Sequence, residues 1–240
     1  MPRHSLFIPD LPRAGESLNL TGDEATHALR VKRLRTGDRV RAFDGAGRVA
    51  LAHVTIARRE LGLEIDSIER FDRLVPAIGV WSAVPKGPRV GELFEHLSQV
   101  GAASWTPMNS GRASVDPARA MTNAKMQRLA RISIESMKQC HRPWRLELNK
   151  TRTFGDAIHA VGGTAIVLAD CSGKAYRATG AGRIRLLVGP EGGWTKDELA
   201  AAESAGAAVS SFGPHVMRIE LAAAIAAATV LDKEQSRRDP

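Results

Sequence analysis

The sequence predicts an α/β protein, a parallel sheet with helices on both faces, preceded by a small β-barrel. Three observations lead there. Residues 1–73 read as short strands with period-two alternation, broken by Asp-Gly and Gly turn signals. From 74 to 240, apolar runs of strand length alternate with amphipathic helical segments, the pattern of a parallel sheet covered on both sides. Between the two, at "FDRLVPAIGV", a charged stretch followed by Pro76 marks the change, and the boundary is placed near residue 73.

In order, "HSLFIP", "DRVRAFDG", "GRVALAHVTIAR" and "LGLEIDSIERF" are the strands of the first part. One helix interrupts them: Thr21 and Glu24 have capping-box spacing, open "EATHALRVKRL", and Gly37 closes the element. The second part runs as strand "AIGVWSA", helix "RVGELFEHLSQVG", strand "SWTPM", a long helix through "AKMQRLARISIESMKQ" and a helix in "TFGDAIHAVG". It continues as strands "TAIVLAD" and "IRLLVG", helix "TKDELAAAESAG" behind a second capping box at Thr195 and Glu198, strand "AVSSF" and helix "ELAAAIAAATVLDKEQ".

A hydrophobic content of 43% fills a real core. No run reaches the roughly 18–20 apolar residues of a membrane span, and the N-terminus lacks the apolar core of a signal peptide, so a cytoplasmic location is expected. Cys140 and Cys171 are too few for a disulfide framework and are expected to be reduced and packed; the seven histidines show no paired ligand spacing, and no metal is expected. The formal charge of +8 favours an anionic partner. Six basic residues stand against one acid in 30–41, and ten against three in 112–152. Such runs are often only solvated helix faces, but two in one chain point to nucleic acid.

"LLVGPEGGW", residues 186–194, ends an apolar run in a loop of glycines before a capped helix. That is where open α/β sheets bind ligands, and glycines let main-chain N–H and C=O groups approach closely. The alternative is a tight turn needing glycine for its backbone angles alone. No G-x-G-x-x-G follows a strand, and Leu168 stands where a P-loop before Gly173-Lys174 needs a glycine, so dinucleotide and NTP binding are disfavoured. A second loop, Gly213-Pro214, also ends a short strand and leads to Arg218, Glu220 and an alanine-rich helix whose small face admits another helix.

At these residues the chain resembles the SPOUT superfamily of methyltransferases and, within it, the RsmE-like family, which methylates N3 of a uridine in 16S ribosomal RNA. The resemblance covers nearly the whole chain. "THALRVKRLRTGD" is similar to the family's His-x-x-Arg-Val-x-Arg element of its RNA-binding, PUA-like barrel; "VPKGPRVGELFEHLSQVGA" resembles its Lys-then-helix segment. "ESMKQCHRP" resembles its Glu-Gln-Cys-Gly-Arg run, "LLVGPEGGWTKDE" is a close match, and "FGPHVMRIELA" resembles Leu-Gly-x-x-Ile-Leu-Arg-Thr-Glu-Thr-Ala. Ile219 and Leu221 replace usual threonines, His96 and Gln99 stand for Lys and Glu, Lys138 for an acid and His141 for a glycine.

The resemblance implies a trefoil-knotted second domain, 74–240, binding S-adenosyl-L-methionine between the two glycine loops, and a PUA-like RNA-binding domain, 1–73. It implies cofactor contacts at Leu168, Val188, Gly189, Pro190, Gly192, Gly193, Phe212, Gly213, Val216, Met217 and Arg218. It also implies RNA contacts at His27, Arg30, Arg33, Lys86, Arg112 and Arg142, with 16S ribosomal RNA of the small subunit as partner and a homodimer as the assembly. For chemistry at N3, Arg218 is expected to offset charge on the uracil carbonyls, and Glu220 or Glu191 to accept the proton. Glu220 could instead simply complement its helix N-terminus, and Glu191 brace its loop. Of the tryptophans, Trp81, Trp105 and Trp144 are expected in the core, while Trp194 faces either ligand or core. Two rivals remain: a SPOUT enzyme acting on ribose 2′-hydroxyls or transfer RNA, since the glycine loop recurs in those branches, and a non-catalytic RNA-binding assembly factor.

Overall fold

The computed structural model describes every residue except 1, 3, 58, 59, 160, 239 and 240. The predicted strand end at Arg58 therefore lies outside the described residues. Two compact units are present: Met1–Arg73 with Ile134–Arg145, and Leu74–Ser133 with Leu146–Pro240.

The first unit contains β1 (His4–Phe7), β2 (Ser17–Leu20), α1 (Gly22–Arg30), β3 (Arg39–Phe43), β4 (Arg48–Ala57) and β5 (Leu61–Arg70). They form one sheet in the order β1-β3-β4-β5-β2, with β1 parallel to β3 and the other pairs antiparallel. Inward residues Leu6, Val40, Val54, Leu61, Leu63 and Ile65 pack with Ala25 and Ala28 of α1. β2 escaped the sequence pattern because its half-exposed "SLNL" carries too few apolar residues to register. The expected capping box at Thr21 does not form: the Thr21 side chain makes no capping bond. Glu24 is spent elsewhere, accepting the Phe7 N–H at 3.0 Å and pairing with Lys138 Nζ at 3.0 Å.

Residues 134–145 belong to this unit, although the boundary at 73 had placed them in the second. Met137 is fully buried with Phe43 and Val49, Lys138 pairs with Glu24, and Trp144 Nε1 donates to the Phe71 carbonyl at 2.9 Å. Apolar contact and a buried ion pair made by a distant segment decide this, and no local pattern reports them.

The second unit holds β6 (Ala77–Ser82), α2 (Arg89–Gln99), β7 (Ser104–Asn109), α3 (Pro117–Ala120) and the start of α4 (Asn123–Cys140). It continues with β8 (Glu147–Leu148), β9 (Arg152–Thr153), α5 (Phe154–Ile158), β10 (Thr164–Ala175), β11 (Arg183–Val188), α6 (Lys196–Ser204), β12 (Ala208–Ser211) and α7 (Ile219–Arg238). Its parallel sheet runs β12-β10-β11-β6-β7-β8, with β9 also on β7. Ile78, Val80, Ile184 and Leu186 meet Leu93, Leu97, Ala223, Ala227 and Val230 of α2 and α7 in one core. The other face buries Ile166, Leu168, Leu187 and Trp194 with Ala157 and Ala202 from α5 and α6. The small face of α7 thus receives α2. At α6 the second capping box is present: Thr195 Oγ1 accepts the Glu198 N–H at 3.1 Å, and Glu198 Oε2 accepts the Thr195 N–H at 2.8 Å.

The far end of α7 is fastened by Glu234, which is fully buried. Its Oε1 accepts bonds from Tyr176 Oη at 2.6 Å, Thr179 N–H at 2.6 Å and Thr179 Oγ1 at 2.8 Å; its Oε2 accepts the Gly180 N–H at 2.9 Å. Burial pushes this carboxyl's pKa up, but the four bonds prevail and the net displacement is downward. Burial and the adjacent carboxylate push the Tyr176 hydroxyl up.

Candidate functional site

Strands β12, β10 and β11 are neighbours, and all three border one cavity of about 300 Å³ in the second unit, β11 and β12 by their carboxyl ends and β10 at the irregularity after Ala169. Parallel strands place their carboxyl ends on one edge of the sheet, so the loops after β11 and β12 converge there beside β10. The β11–α6 loop contributes Val188 to Trp194, the β12–α7 loop contributes Ser211 to Gly213 and His215 to Met217, and β10 contributes Ala169, Asp170 and Cys171. Ala222, one turn into α7, completes the wall.

Much of this wall is main chain because side chains have no room. A Cβ on Gly189 would lie 3.0 Å from Trp194 Cε2, and one on Gly192 would lie 3.4 Å from Arg112 Cβ. The Trp194 side chain is itself pinned, its Nε1 donating to the Ala169 carbonyl at 2.9 Å and its ring packed at a tilt of 50° on Phe154, 5.3 Å between centroids. Trp194 therefore both seals the core and borders the cavity. Opposite it, Phe212 stacks on Tyr176 at 5.9 Å, so the Glu234 bonds stiffen that wall. The combination of bare N–H and C=O groups with Phe212, Val216, Met217 and Trp194 suits a ligand with a polar end and a flat apolar end.

Of the expected cofactor residues, Val188, Gly189, Pro190, Gly192, Gly193, Phe212, Gly213, Val216 and Met217 line the cavity. Leu168 does not: it is wholly buried behind the sheet with Ile166 and Leu187. Arg218 is exposed and outside the lining; its carbonyl accepts the Ala222 N–H at 2.8 Å and starts α7. Glu191 borders the cavity, while Glu220 is buried beside it in the first turn of α7.

Three features escaped the sequence. Ala169, Asp170 and Cys171 line the cavity although "TAIVLAD" carries no loop signal, because β10 continues past an irregularity between Ala169 and Lys174. Their one legible cue was position, at the end of a third apolar strand. Cys171 is exposed there rather than packed, while Cys140 is half-buried, and both are free thiols. Finally, Arg89 at the start of α2 places Nη1 3.6 Å from Glu191 Oε1 and 3.7 Å from Glu220 Oε1.

The expected RNA-contact residues divide between the units. His27 and Arg30 lie on α1 and Arg33 follows it with φ +53°; Arg30 and Arg33 are exposed and His27 is half-buried. Arg142 is half-buried in the first unit, and burial lowers its guanidinium below the usual arginine value. In the second unit Lys86 is exposed before α2. Arg112 is exposed too, but its Nη1 donates to the Gly192 carbonyl at 3.0 Å, bracing the glycine loop. His141 stands at φ +57°, a left-handed conformation that explains why glycine suits this position. Trp105 is in the core as expected; Trp81 and Trp144 are half-buried, under Arg185 at 4.5 Å and Arg73 at 4.3 Å. Among the described residues no helix is long and apolar enough to cross a membrane, and no cluster of three metal-type ligands occurs.

A glycine-walled cavity at the carboxyl edge of a parallel sheet, with two acids and an arginine at its margin, defines an α/β enzyme acting through a small organic ligand. Comparison narrows the class. Residues 73–231 match the family model described as an RNA methyltransferase domain, and residues 20–65 match that of an RNA methyltransferase PUA domain. The chain belongs to this RNA methyltransferase family. It is 31% identical over 235 residues to Ribosomal RNA small subunit methyltransferase E of Mycobacterium bovis, covering 93% of this chain and 89% of the relative. The protein of the same name from Synechocystis is 26% identical over 223 residues, 89% of this chain and 72% of the relative. Among solved structures, Ribosomal RNA small subunit methyltransferase E of Neisseria gonorrhoeae bound to S-adenosyl methionine shares the fold, with a TM-score of 0.81 and 22% identity over 98% of this chain and 97% of that one. A Legionella pneumophila protein in complex with SAM also gives 0.81, at 24% identity over 97% of each chain.

Proposed function

We propose that this protein transfers a methyl group from S-adenosyl-L-methionine to N3 of a uridine in 16S ribosomal RNA of the small subunit, in the cytoplasm. One observation carries the reading: the main-chain-walled cavity bordered by β10 and the ends of β11 and β12, with the Arg89, Glu191 and Glu220 cluster at its margin. The names of the mycobacterial and cyanobacterial relatives supply the substrate class.

The residues fit the cofactor. Val188 to Gly193 offer main-chain donors and acceptors, and Phe212, Val216 and Met217 offer an apolar surface for a flat ring. Bound there, the cofactor supplies an electrophilic methyl. Everything else is positioning, which in well-oriented systems reaches effective molarities of roughly 10⁵ M or more. The carboxylates accept the imide proton, and Arg218 at the head of α7 offsets charge on the uracil carbonyls. In the first unit, His27, Arg30, Arg33 and Arg142 hold the phosphate backbone, joined by Lys86 and, in part, Arg112.

A second copy completes the assembly. Leu221 and Ile225 lie one turn apart on α7 and are 48% and 40% exposed, as befits a helix face with a further partner. Sedimentation giving a monomer at micromolar concentration rejects the dimer. The activity is tested by incubating the protein with S-adenosylmethionine and undermethylated 16S RNA and identifying nucleosides by mass spectrometry. We expect 3-methyluridine; a ribose methyl, or no product alongside tight RNA binding, rejects the proposal.

A further inference from the structure

The two candidate acids share one cation. Arg89 Nη1 stands almost equidistant from Glu191 Oε1 and Glu220 Oε1, at 3.6 and 3.7 Å. The Glu220 side chain is only 8% exposed, and its Oε2 has no hydrogen-bond partner. Burying a carboxylate at that depth is costly without a compensating positive group, and Arg89 is that group. An ion pair built for stability would be bidentate, with nitrogen and oxygen about 2.7–2.9 Å apart. Here both acids meet a single nitrogen beyond hydrogen-bonding range. The guanidinium supplies charge while leaving the acceptor lone pairs of Glu220 unoccupied, as a proton acceptor requires. Glu191, on the same nitrogen, borders the cavity and links the buried pair to it.

We propose that Arg89 is a positioning residue for the proton acceptor: it tethers Glu191 and Glu220 to one charge and leaves Glu220 Oε2 as the atom that receives the N3 proton. The inference rests on the uridine-N3 reading. In the step, the N3–H bond breaks and its proton passes to Glu220 Oε2. The electron pair left on N3 forms the bond to the methyl carbon, and the electrons of the broken carbon–sulfur bond return to sulfur, cancelling its charge.

The test is a double-mutant cycle of Arg89→Met, Glu220→Gln and the pair together, with Arg89→Lys alongside. Four quantities are read: kcat and KM for undermethylated 16S RNA, the calorimetric Kd for S-adenosylmethionine, and the melting temperature. Glu220→Gln is expected to lower kcat by about 100-fold and Arg89→Met by about 10-fold or more, with KM and Kd within about twofold of wild type. The double variant is expected to be no slower than Glu220→Gln, because Arg89 acts through that carboxylate. Arg89→Lys restores most of the rate, since a point charge suffices where no fork is used. Multiplicative losses in the double variant, or Arg89→Met with wild-type kcat, overturn the proposal. Should Arg89→Met not fold, the double variant removes the stranded charge together with its partner. Its comparison with Glu220→Gln alone then decides, and any further loss of kcat overturns the proposal. A wild-type protein that forms no 3-methyluridine fails the underlying reading; one that forms it, with a multiplicative cycle, fails this inference alone.

Discussion

Replacing Gly189 with alanine tests whether the cavity wall has to be bare backbone. The added Cβ would stand 3.0 Å from Trp194 Cε2, 3.2 Å from Cδ2 and 3.3 Å from Cζ2, against an ordinary carbon–carbon separation of about 3.5–4.0 Å. The ring must therefore retreat by about half an ångström across its whole edge. It has nowhere to go: it is 4% exposed, its Nε1 is bonded to the Ala169 carbonyl at 2.9 Å, and Phe154 packs on it. Overpacking of this kind costs about 1–3 kcal/mol, and a broken indole bond about 1 kcal/mol more. At about 2–4 °C per kcal/mol for a chain of this size, the melting temperature falls by roughly 4–16 °C. Because Trp194 and Ala169 both line the cavity, the displaced ring also weakens S-adenosylmethionine binding. Thermal unfolding by circular dichroism and calorimetric titration of the cofactor measure the two effects. Gly213→Ala is the control: its Cβ would meet only Met217 Cε, at 3.5 Å, and stability should change by no more than about 1 kcal/mol. Equal melting temperatures and cofactor affinities for wild type and Gly189→Ala would refute the steric reasoning.

Glu234→Gln removes the charge that holds Tyr176, Thr179 and Gly180, and turns an amide donor toward at least one of those donors. Since the folded carboxyl lies below its unfolded value of about 4.3, its contribution is present above that pH and is lost as pH falls through the lowered value. The variant should therefore melt several degrees below wild type near neutrality and approach it as the pH falls below the unfolded carboxyl value; a gap independent of pH contradicts the assignment. For RNA binding, log K should fall linearly with log salt, and Arg30→Ala with Arg33→Ala should flatten the slope by about 1–2 units. A slope unchanged in that variant removes the two arginines from the phosphate contacts.

Much of the second unit was legible from its pattern. Strands 77–82 and 183–188 carry apolar residues at nearly all of their buried positions, α2 shows a strong one-sided pattern, and Thr195 with Glu198 fixes the start of α6 through bonds within four residues of each other. Such signals survive because their causes are local. The same spacing at Thr21 and Glu24 misled, because Glu24 found Phe7 and Lys138 instead. A capping box is a competition for one carboxylate, and sequence spacing names only one competitor. Likewise Lys138, part of a basic run that favours an anionic partner, is buried between Glu24 and Glu135.

By itself the sequence determined the alternation of strand and helix and the two glycine loops, since periodicity and glycine content act within a turn or a strand. Tertiary structure alone decided that residues 134–145 pack with the first unit, that β10 supplies a third wall to the cavity, and that Arg89 meets acids more than a hundred residues away. Which groups share a buried volume depends on strand order and helix packing. Those follow from the summed burial of the whole chain, a quantity that no short stretch of residues carries.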